Sequence, residues 1–272
     1  MKKLISLLLG TALCLLLLSA CSGEGSTTIS LDGSTSMEKV VGALIEGYRA
    51  VDSSVAVNYS GTGSGSGIEA VLSGVCDIGL SSRKLKESEI TNGAQAHIIA
   101  FDGIAVIVNA QNPLNDLTTE QLRRIFTGTV TSWAELGGEH SPIAVYGREA
   151  GSGTRSAFEE ILGITDRCVY TNEYSSNGDI IGNVSTNPNG IGYVSLSGVS
   201  ETTKLLQING VSCREETIRS GSYAIQRPFI MVTAANRPLS PDAQAFLDYA
   251  MSSAVADYIT IAGAIAPKHS NG

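Results

Sequence analysis

Short β-rich runs alternate with amphipathic helical stretches along most of this 272-residue chain. Ile29-Ser30-Leu31 is followed by apolar residues three or four positions apart between Met37 and Tyr48, which is the spacing of one buried helix face. Similar strand-like runs recur at 55–59, 77–80, 98–99, 104–108, 143–146 and 229–232, and helical stretches recur at 243–251 and 254–261. Repeats of strand, loop and helix predict an α/β fold with a largely parallel sheet.

The first twenty residues have the composition of an export signal. Lys2 and Lys3 precede an apolar run from Leu4 to Leu18, and small residues follow before Cys21. The run is too short and wrongly flanked for a stable membrane span, so residues 1–20 are predicted to be a secretory signal peptide.

The sequence Leu18-Ser19-Ala20-Cys21 is similar to a bacterial lipobox, in which the cysteine is lipidated and becomes the mature N-terminus. On this interpretation Cys21 carries acyl chains and residues 21–26 form a flexible tether. The folded part would then be lipid-anchored on the extracytoplasmic face of the cell membrane. The alternative is an ordinary signal peptide that happens to be followed by a cysteine.

The charge balance argues against one class of partner. Lys and Arg total 18 against 26 Asp and Glu, which gives a formal net charge of −8, and loss of the two signal lysines makes it −10. Nucleic acid binding is dominated by Lys and Arg contacts to phosphate groups, and no basic run is present. We therefore expect no nucleic acid partner.

The cysteines and histidines give no pattern of a metal site. Those that remain after loss of the signal and outside the lipobox are scattered without CxxC spacing: Cys76, Cys168, Cys213, His97, His140 and His269. We expect no metal site and no disulfide framework. The three thiols are expected to be small buried hydrophobic groups, and a disulfide between one pair of them stays open.

Three loops rich in Gly, Ser and Thr follow predicted strands and precede predicted helices, at 33–36, 61–67 and 147–155. A helix start offers unpaired backbone N–H groups, and glycine lets an anion approach them closely. Arg148 and Arg155 add a donor fork suited to tetrahedral oxyanions. Each loop alone could equally be an ordinary helix cap or linker, but three together favour an anion site.

Other readings of these loops fit less well. No Gly-x-x-x-x-Gly-Lys sequence occurs, and the glycines at 61–67 alternate where a dinucleotide-binding fingerprint requires Gly-x-Gly-x-x-Gly. None of Ser64, Ser66 and Ser152 lies in the Gly-x-Ser-x-Gly elbow of a serine hydrolase. An exported phosphoester hydrolase would thus lack both a metal site and a nucleophile elbow.

The stretch from Arg148 to Arg155 resembles the Arg-x-x-Gly-Ser-Gly-Thr loop of the PstS-type phosphate-binding lipoproteins of bacterial phosphate ABC transporters. The similarity extends from about residue 27 to the C-terminus. Supporting matches lie at 32–36, 61–67, 77–79, 125–133 and 188–194.

The resemblance implies a two-lobe, type II periplasmic-binding-protein-like fold with the ligand held in a cleft between the lobes. Lobe 1 would combine residues 27–105 and 228–272, and lobe 2 would hold 106–227, with two hinge crossovers near 102–109 and 223–230. Carried over by position, the phosphate donors would be Thr35, Ser36, Ser64, Arg148, Ser152, Gly153 and Thr154.

One position departs from the family pattern. Family members carry an Asp soon after the Asp-x-Gly strand, where this chain reads Ser81-Ser82-Arg83. That carboxylate accepts the proton of hydrogen phosphate and disfavours sulfate. Ser82 is therefore expected to contact the ligand directly, and Asp102 is the candidate proton acceptor, although an Asp-Gly turn would also explain it. Glu149 or a carboxylate of the other lobe is expected to partner Arg148.

The resemblance implies a binding protein that catalyses nothing and needs no cofactor. It would capture inorganic phosphate and deliver it to the permease and ATPase of an ABC transporter. The alternatives are a receptor for sulfate, molybdate or a phosphonate, or an exported phosphoester hydrolase.

Overall fold

The computed structural model describes residues 27–268, which form an α/β structure. Its strands are β1 (Thr28–Gly33), β2 (Ala56–Gly61), β3 (Ile78–Ser81), β4 (Ala94–Asn109), β5 (Asp116–Leu117), β6 (Ala144–Arg148), β7 (Asn172–Tyr174), β8 (Gly190–Ser195), β9 (Thr203–Leu205), β10 (Gln207–Ile208) and β11 (Gln226–Ala234). Its α-helices are α1 (Glu38–Val51), α2 (Ser64–Ser73), α3 (Glu87–Thr91), α4 (Thr119–Phe126), α5 (Gly153–Leu162), α6 (Asn177–Thr186), α7 (Glu215–Arg219), α8 (Pro241–Met251) and α9 (Ala256–Ile261). The expected signal peptide, the lipidated Cys21 and the tether lie outside these residues.

One continuous sheet connects two halves of the molecule, in the order β2-β1-β3-β11-β4-β8-β6-β7, with β9 also paired to β4. The outer strands of each half pair in parallel: β1 pairs with β2 and β3 on one side, and β6 pairs with β7 and β8 on the other. The central strands β11 and β4 run antiparallel to their neighbours. The expectation of a largely parallel sheet therefore holds for the outer parts, while the strands that cross between the halves run the other way.

The long strand β4 carries the chain from one half to the other. Its first part pairs with β11 up to Gly103, and from Ile104 onward it pairs with β8. The chain returns just before β11, where the Ile104 N–H donates to the Ile225 carbonyl at 2.8 Å. The sequence suggested separate strands at 98–99 and 104–108. They form one strand because the crossover continues the β conformation.

Each half has its own hydrophobic core. The first core packs the buried face of α1, including Val40 and Leu44, and helix α8 against β1, β3 and β11. The second core surrounds Trp133 and the stacked rings of Phe158 and Tyr193. Complete burial of a large apolar side chain stabilises the folded state by about 1.5–3 kcal/mol. A smaller cluster that includes Ile68, Val71 and Ile230 adds to the first half. Separate cores in the two halves, joined by two crossovers, give a two-lobe architecture with a cleft between the lobes.

Close backbone packing places the second Gly-rich loop against the end of β1. A Cβ atom on Gly67 would lie 2.3 Å from the Asp32 carbonyl oxygen, so only glycine allows α2 to pack this tightly on β1. Gly63, just before α2, has a φ of 103°, a conformation that favours glycine.

Among the described residues, no helix has the length and apolarity needed to cross a membrane.

Candidate anion-binding site between the two lobes

Three serine hydroxyls of the first lobe meet where strands β1, β2 and β3 end. These strands are parallel and in register, so their carboxyl ends lie at one edge of the sheet. The Ser34 hydroxyl donates to Ser82 Oγ at 2.8 Å, and the Ser82 N–H donates to Ser64 Oγ at 3.1 Å. All three side chains are buried. Ligands of open α/β folds bind at such edges, beyond the carboxyl ends of the strands.

The second lobe contributes the loop between β6 and α5. Arg148 is the last residue of β6, Ser152 is the N-cap of α5, and Gly153 and Thr154 form its first turn. The Ser152 Oγ accepts the Arg155 N–H at 3.3 Å, so this serine also holds the start of the helix. The first turn of α5 therefore presents backbone N–H groups and the buried Thr154 hydroxyl toward the cleft.

The two sets of donors face each other across the cleft. Ser36 Oγ lies 2.7 Å from Thr154 Oγ1, and the Gly65 N–H donates to the Gly151 carbonyl at 3.2 Å. Gly153 sits against the serine cluster so closely that a Cβ there would lie 2.1 Å from Ser64 Oγ. Because hydroxyls from both lobes approach within hydrogen-bond distance, one small anion can contact both at once.

Arg148 is the central cation of this site, and its side chain is only 1% exposed. Its guanidinium donates to the carbonyls of Tyr174 (3.2 Å) and Ser175, to Asn177 Oδ1 (3.1 Å) and to Thr35 Oγ1 (2.8 Å). Within residues 27–268, no carboxylate oxygen lies within 4.0 Å of it. Burial lowers its pKa to about 10, so it stays charged at neutral pH.

The expected partner of Arg148 is therefore wrong. Glu149 is exposed, and neither it nor a carboxylate of the other lobe pairs with the guanidinium. The Arg148 side chain instead runs along the carbonyl groups between β7 and α6, whose oxygens take the place of a carboxylate. A buried positive charge held by neutral groups is costly unless an anion compensates it.

Asp102 lies behind the serine cluster and is fully buried at the crossover in β4. Its Oδ2 accepts from Arg227 Nε and Nη2 at 3.0 and 2.9 Å, and its Oδ1 accepts from the Ser195 hydroxyl at 2.9 Å. Burial raises the pKa of the Asp102 carboxyl, while Arg227 and Ser195 oppose this by stabilising the charged form. Arg227 also donates to the Ser82 carbonyl at 3.2 Å. The role of Asp102 as a proton acceptor stays a prediction.

A network on the far side of Arg148 holds its backbone. The Arg148 N–H donates to the Tyr193 hydroxyl at 3.2 Å, and Arg155 Nη1 donates to the Arg148 carbonyl at 3.0 Å. Arg155 is also paired with Glu159 at 2.8 Å and with Glu173 at 2.9 Å. Arg155, which the sequence suggested as a donor to the anion, is an ion-pair residue in the structure and supports the loop that carries Arg148.

The structure brings most of the residues named from the sequence to one place. Those that line the contact between the lobes are Thr35, Ser36, Ser64, Ser82, Arg148, Gly153 and Thr154, with Ser152 at the adjoining helix cap. Asp102 reaches them only through other residues: Arg227 bridges it to the Ser82 carbonyl, and Ser195 and Ser197 bridge it to the Ser36 carbonyl. A cavity of about 570 Å³ opens beside the contact, and residues of both lobes line it, including Thr35 and Ser36 from the first lobe and Asn177 from the second.

Sequence reasoning did not single out two polar residues that belong to this region. Asn177 begins α6 and contacts both Arg148 and Ser36. Ser176 followed three residues later by Asp179 is a helix-start pattern that could have indicated this position. Arg227 precedes the apolar run of β11, and a single charged residue beside a buried strand could have indicated a buried functional side chain.

The three cysteines within residues 27–268 are unbridged. Cys76 and Cys213 are buried and Cys168 is half-buried, so the disulfide left open by the sequence does not form. Among residues 27–268, no group of three or more His, Cys, Asp or Glu side chains has a geometry that could hold a metal ion.

Comparison with known proteins agrees with this architecture. Residues 19–254 match the model of the PBP superfamily domain. The phosphate-binding protein PstS of Borreliella burgdorferi is 28% identical over 275 residues, covering 95% of this chain and 96% of that protein. The phosphate-binding protein PstS of Bacillus subtilis is 31% identical over 206 residues, covering 74% of this chain and 68% of that protein.

A solved structure gives the same relationship in three dimensions. A protein of Clostridium perfringens, described as a phosphate ABC transporter substrate-binding protein and crystallised with bound phosphate, superimposes with a TM-score of 0.86. It is 36% identical, and the match covers 89% of this chain and all of that one. This chain therefore belongs to the PBP superfamily and, within it, to the family of the PstS phosphate-binding proteins.

Proposed function

We propose that this chain is the extracytoplasmic phosphate receptor of an ABC transporter. It captures inorganic phosphate in the cleft between its lobes and delivers it to the permease and ATPase that import it, and it catalyses no reaction. Relatives named phosphate-binding protein PstS and the Clostridium perfringens structure with bound phosphate support this function.

The observation that carries the proposal is the buried, uncompensated charge of Arg148 facing a set of neutral donors. The guanidinium has four neutral partners and no carboxylate among the described residues. A dianion bound beside it would offset the cost of burying that charge. Hydroxyl groups and helix N–H groups supply hydrogen bonds to the oxygens of a tetrahedral anion.

The proposed phosphate ligands are Thr35, Ser36, Ser64, Ser82, Arg148, Ser152, Gly153 and Thr154. Those of the first lobe and those of the second complete one site when the lobes are closed. Binding therefore favours the closed form, because that form alone offers the ligand all of its donors. We place the lobe boundaries at 27–105 with 228–272 and at 106–227. They lie next to the point after Gly103 where β4 changes its strand partner and next to the hydrogen bond from Ile104 to Ile225.

The proposed attachment to the membrane is a lipid on Cys21, followed by the tether 21–26. The motif Leu18-Ser19-Ala20-Cys21 supports it. Incorporation of radiolabelled fatty acid into the parent protein, and its loss in Cys21→Ser, would test this step. Continued labelling of the variant would contradict it.

Another oxyanion is the second candidate ligand, and Ser82 is the observation that favours it. Where the family pattern implies an Asp, this chain has a hydroxyl, which can donate or accept a hydrogen bond and so discriminates less between protonated and unprotonated oxyanions. Isothermal titration with phosphate, sulfate and molybdate decides between them. Tight binding of phosphate supports the proposal, whereas no phosphate binding with tight binding of another oxyanion refutes it.

The same sample tests the enzyme alternative. Turnover of p-nitrophenyl phosphate by the purified protein would favour a phosphoester hydrolase. Saturable phosphate binding without turnover is the result expected of a receptor.

A further inference from the structure

Asn177 occupies a position between the central cation and the opposite lobe. It begins α6, and its side chain is largely buried at the contact between the lobes. Its Oδ1 accepts from Arg148 Nη1 at 3.1 Å, and its Nδ2 lies 3.3 Å from Ser36 Oγ in the first lobe. One amide group therefore touches the cation and a hydroxyl of the opposite lobe at the same time.

We propose that Asn177 is a positioning residue that holds the Arg148 guanidinium through a neutral group and so leaves its positive charge for the bound anion. This inference rests on the phosphate-binding function proposed above. Asn177 would thus have two roles. It orients the Arg148 side chain, and through its contact with Ser36 it couples that orientation to closure of the lobes.

The contrast between the two buried arginines carries the argument. Arg227 is fully buried and pairs with the carboxylate of Asp102 at 2.9 Å, so its charge is compensated inside the protein. Arg148 is equally buried, but the acceptors of its guanidinium hydrogen bonds are all neutral oxygens. The acceptor that comes from a side chain of the same lobe is the amide of Asn177.

A carboxylate at position 177 would fit the same space. Aspartate has nearly the shape of asparagine, and its oxygen would accept from Arg148 Nη1 and from the Ser195 N–H, which lies 3.5 Å from Oδ1. It would pair the guanidinium as Asp102 pairs Arg227. It would also place a negative charge beside Ser36, where the anion is expected, and like charges this close repel in a poorly solvated site.

The proposal therefore predicts opposite effects of one substitution on stability and on binding. Asn177→Asp gives the buried cation a partner, so we expect the melting temperature of the ligand-free protein to be equal to or above that of the parent. We expect its Kd for phosphate to rise about 100-fold, because the charge of Arg148 is now shared. Asn177→Ala removes the amide that accepts from Arg148 and adds no charge, so we expect its Kd for phosphate to rise about tenfold.

The experiment compares the parent, Asn177→Asp and Asn177→Ala by isothermal titration with inorganic phosphate at pH 8, and by thermal melting without ligand. Asn183 lies on the same helix and donates to the Asp179 carbonyl, away from Arg148. Asn183→Asp and Asn183→Ala are the matched controls, and both are expected to bind phosphate like the parent. If Asn177 only stabilised the helix, both variants would lower the melting temperature, and Asn177→Asp would not weaken phosphate binding more than Asn177→Ala.

Each outcome decides a different point. Absence of phosphate binding by the parent refutes the proposed function. Phosphate binding by the parent, together with Asn177→Asp binding as tightly as the parent or more tightly than Asn177→Ala, overturns the role of Asn177. Should Asn177→Asp not fold, Asn177→Ala decides alone, and a Kd within about twofold of the parent's overturns the proposal.

Discussion

Replacing Arg148 by methionine removes the charge at the centre of the proposed site and keeps most of the side chain's volume. The guanidinium is 1% exposed and makes four hydrogen bonds to neutral groups, so its charge is poorly screened by solvent. Loss of one partner of a buried charged contact costs about 2–5 kcal/mol, and about 3 kcal/mol corresponds to a Kd about 150-fold higher.

That loss has a measurable effect on phosphate-dependent stability. At a phosphate concentration about 1,000 times the parent's Kd, binding stabilises the parent by about 4.1 kcal/mol, and the variant by about 1.2 kcal/mol. For a domain of this size, 1 kcal/mol shifts the melting temperature by about 2–4 °C, so a shift of about 8–16 °C should fall to about 2–5 °C.

Thermal melting with and without phosphate at pH 7.5 measures both shifts, with potassium chloride at equal ionic strength as the salt control. At this pH Arg148 is charged, since its pKa is about 10. Arg124, an exposed arginine on α4, supplies the matched control Arg124→Met, which should keep the parent's shift. If Arg148→Met also keeps the full shift, the buried cation is not what binds phosphate.

Three further expectations concern the surroundings of the site. Gly153→Ala should weaken phosphate binding at least tenfold in isothermal titration, because its Cβ would lie 2.1 Å from Ser64 Oγ in the closed form, and binding like the parent's would contradict the proposed closure. Asp102→Asn should lower the free energy of unfolding by about 3–5 kcal/mol in urea, because it leaves Arg227 buried without its partner, and unchanged phosphate and sulfate affinities would remove Asp102 from the binding mechanism. Burial raises the pKa of the three thiols that the structure describes, to about 11 for Cys76 and about 12 for Cys168 and Cys213. At pH 8 Ellman's reagent should therefore modify these three only after unfolding, and their rapid reaction in the folded protein would refute this.

Several features of the fold could be predicted from local sequence because local physics decides them. The three- and four-residue spacing from Met37 to Tyr48 marked the buried face of α1, and the apolar run at 229–232 marked β11. The loops at 33–36, 61–67 and 147–155 were recognisable because glycine and hydroxyl residues at helix starts have a definite chemistry. Their alignment at one cleft followed from the resemblance to a known family.

Other features depended on contacts between distant parts of the chain. The continuity of β4 through Gly103 could not be predicted, because its two halves pair with strands more than eighty residues further along. The prediction of a carboxylate partner for Arg148 was wrong for a similar reason. Sequence gives the charge of Glu149 but not its direction, and the carbonyls of Tyr174 and Ser175 are not visible as ligands in any sequence.

The sequence by itself determined that this is an α/β protein with Gly-, Ser- and Arg-containing loops suited to a tetrahedral anion, and it predicts an export signal at residues 1–20, because residue type and spacing encode those properties locally. Only the tertiary structure decided which buried arginine is compensated. Asp102 lies against Arg227 and Asn177 lies against Arg148, although each pair is far apart in the chain. A charge buried beside a neutral amide is left for a ligand, and that difference arises only when distant segments of the chain fold against each other.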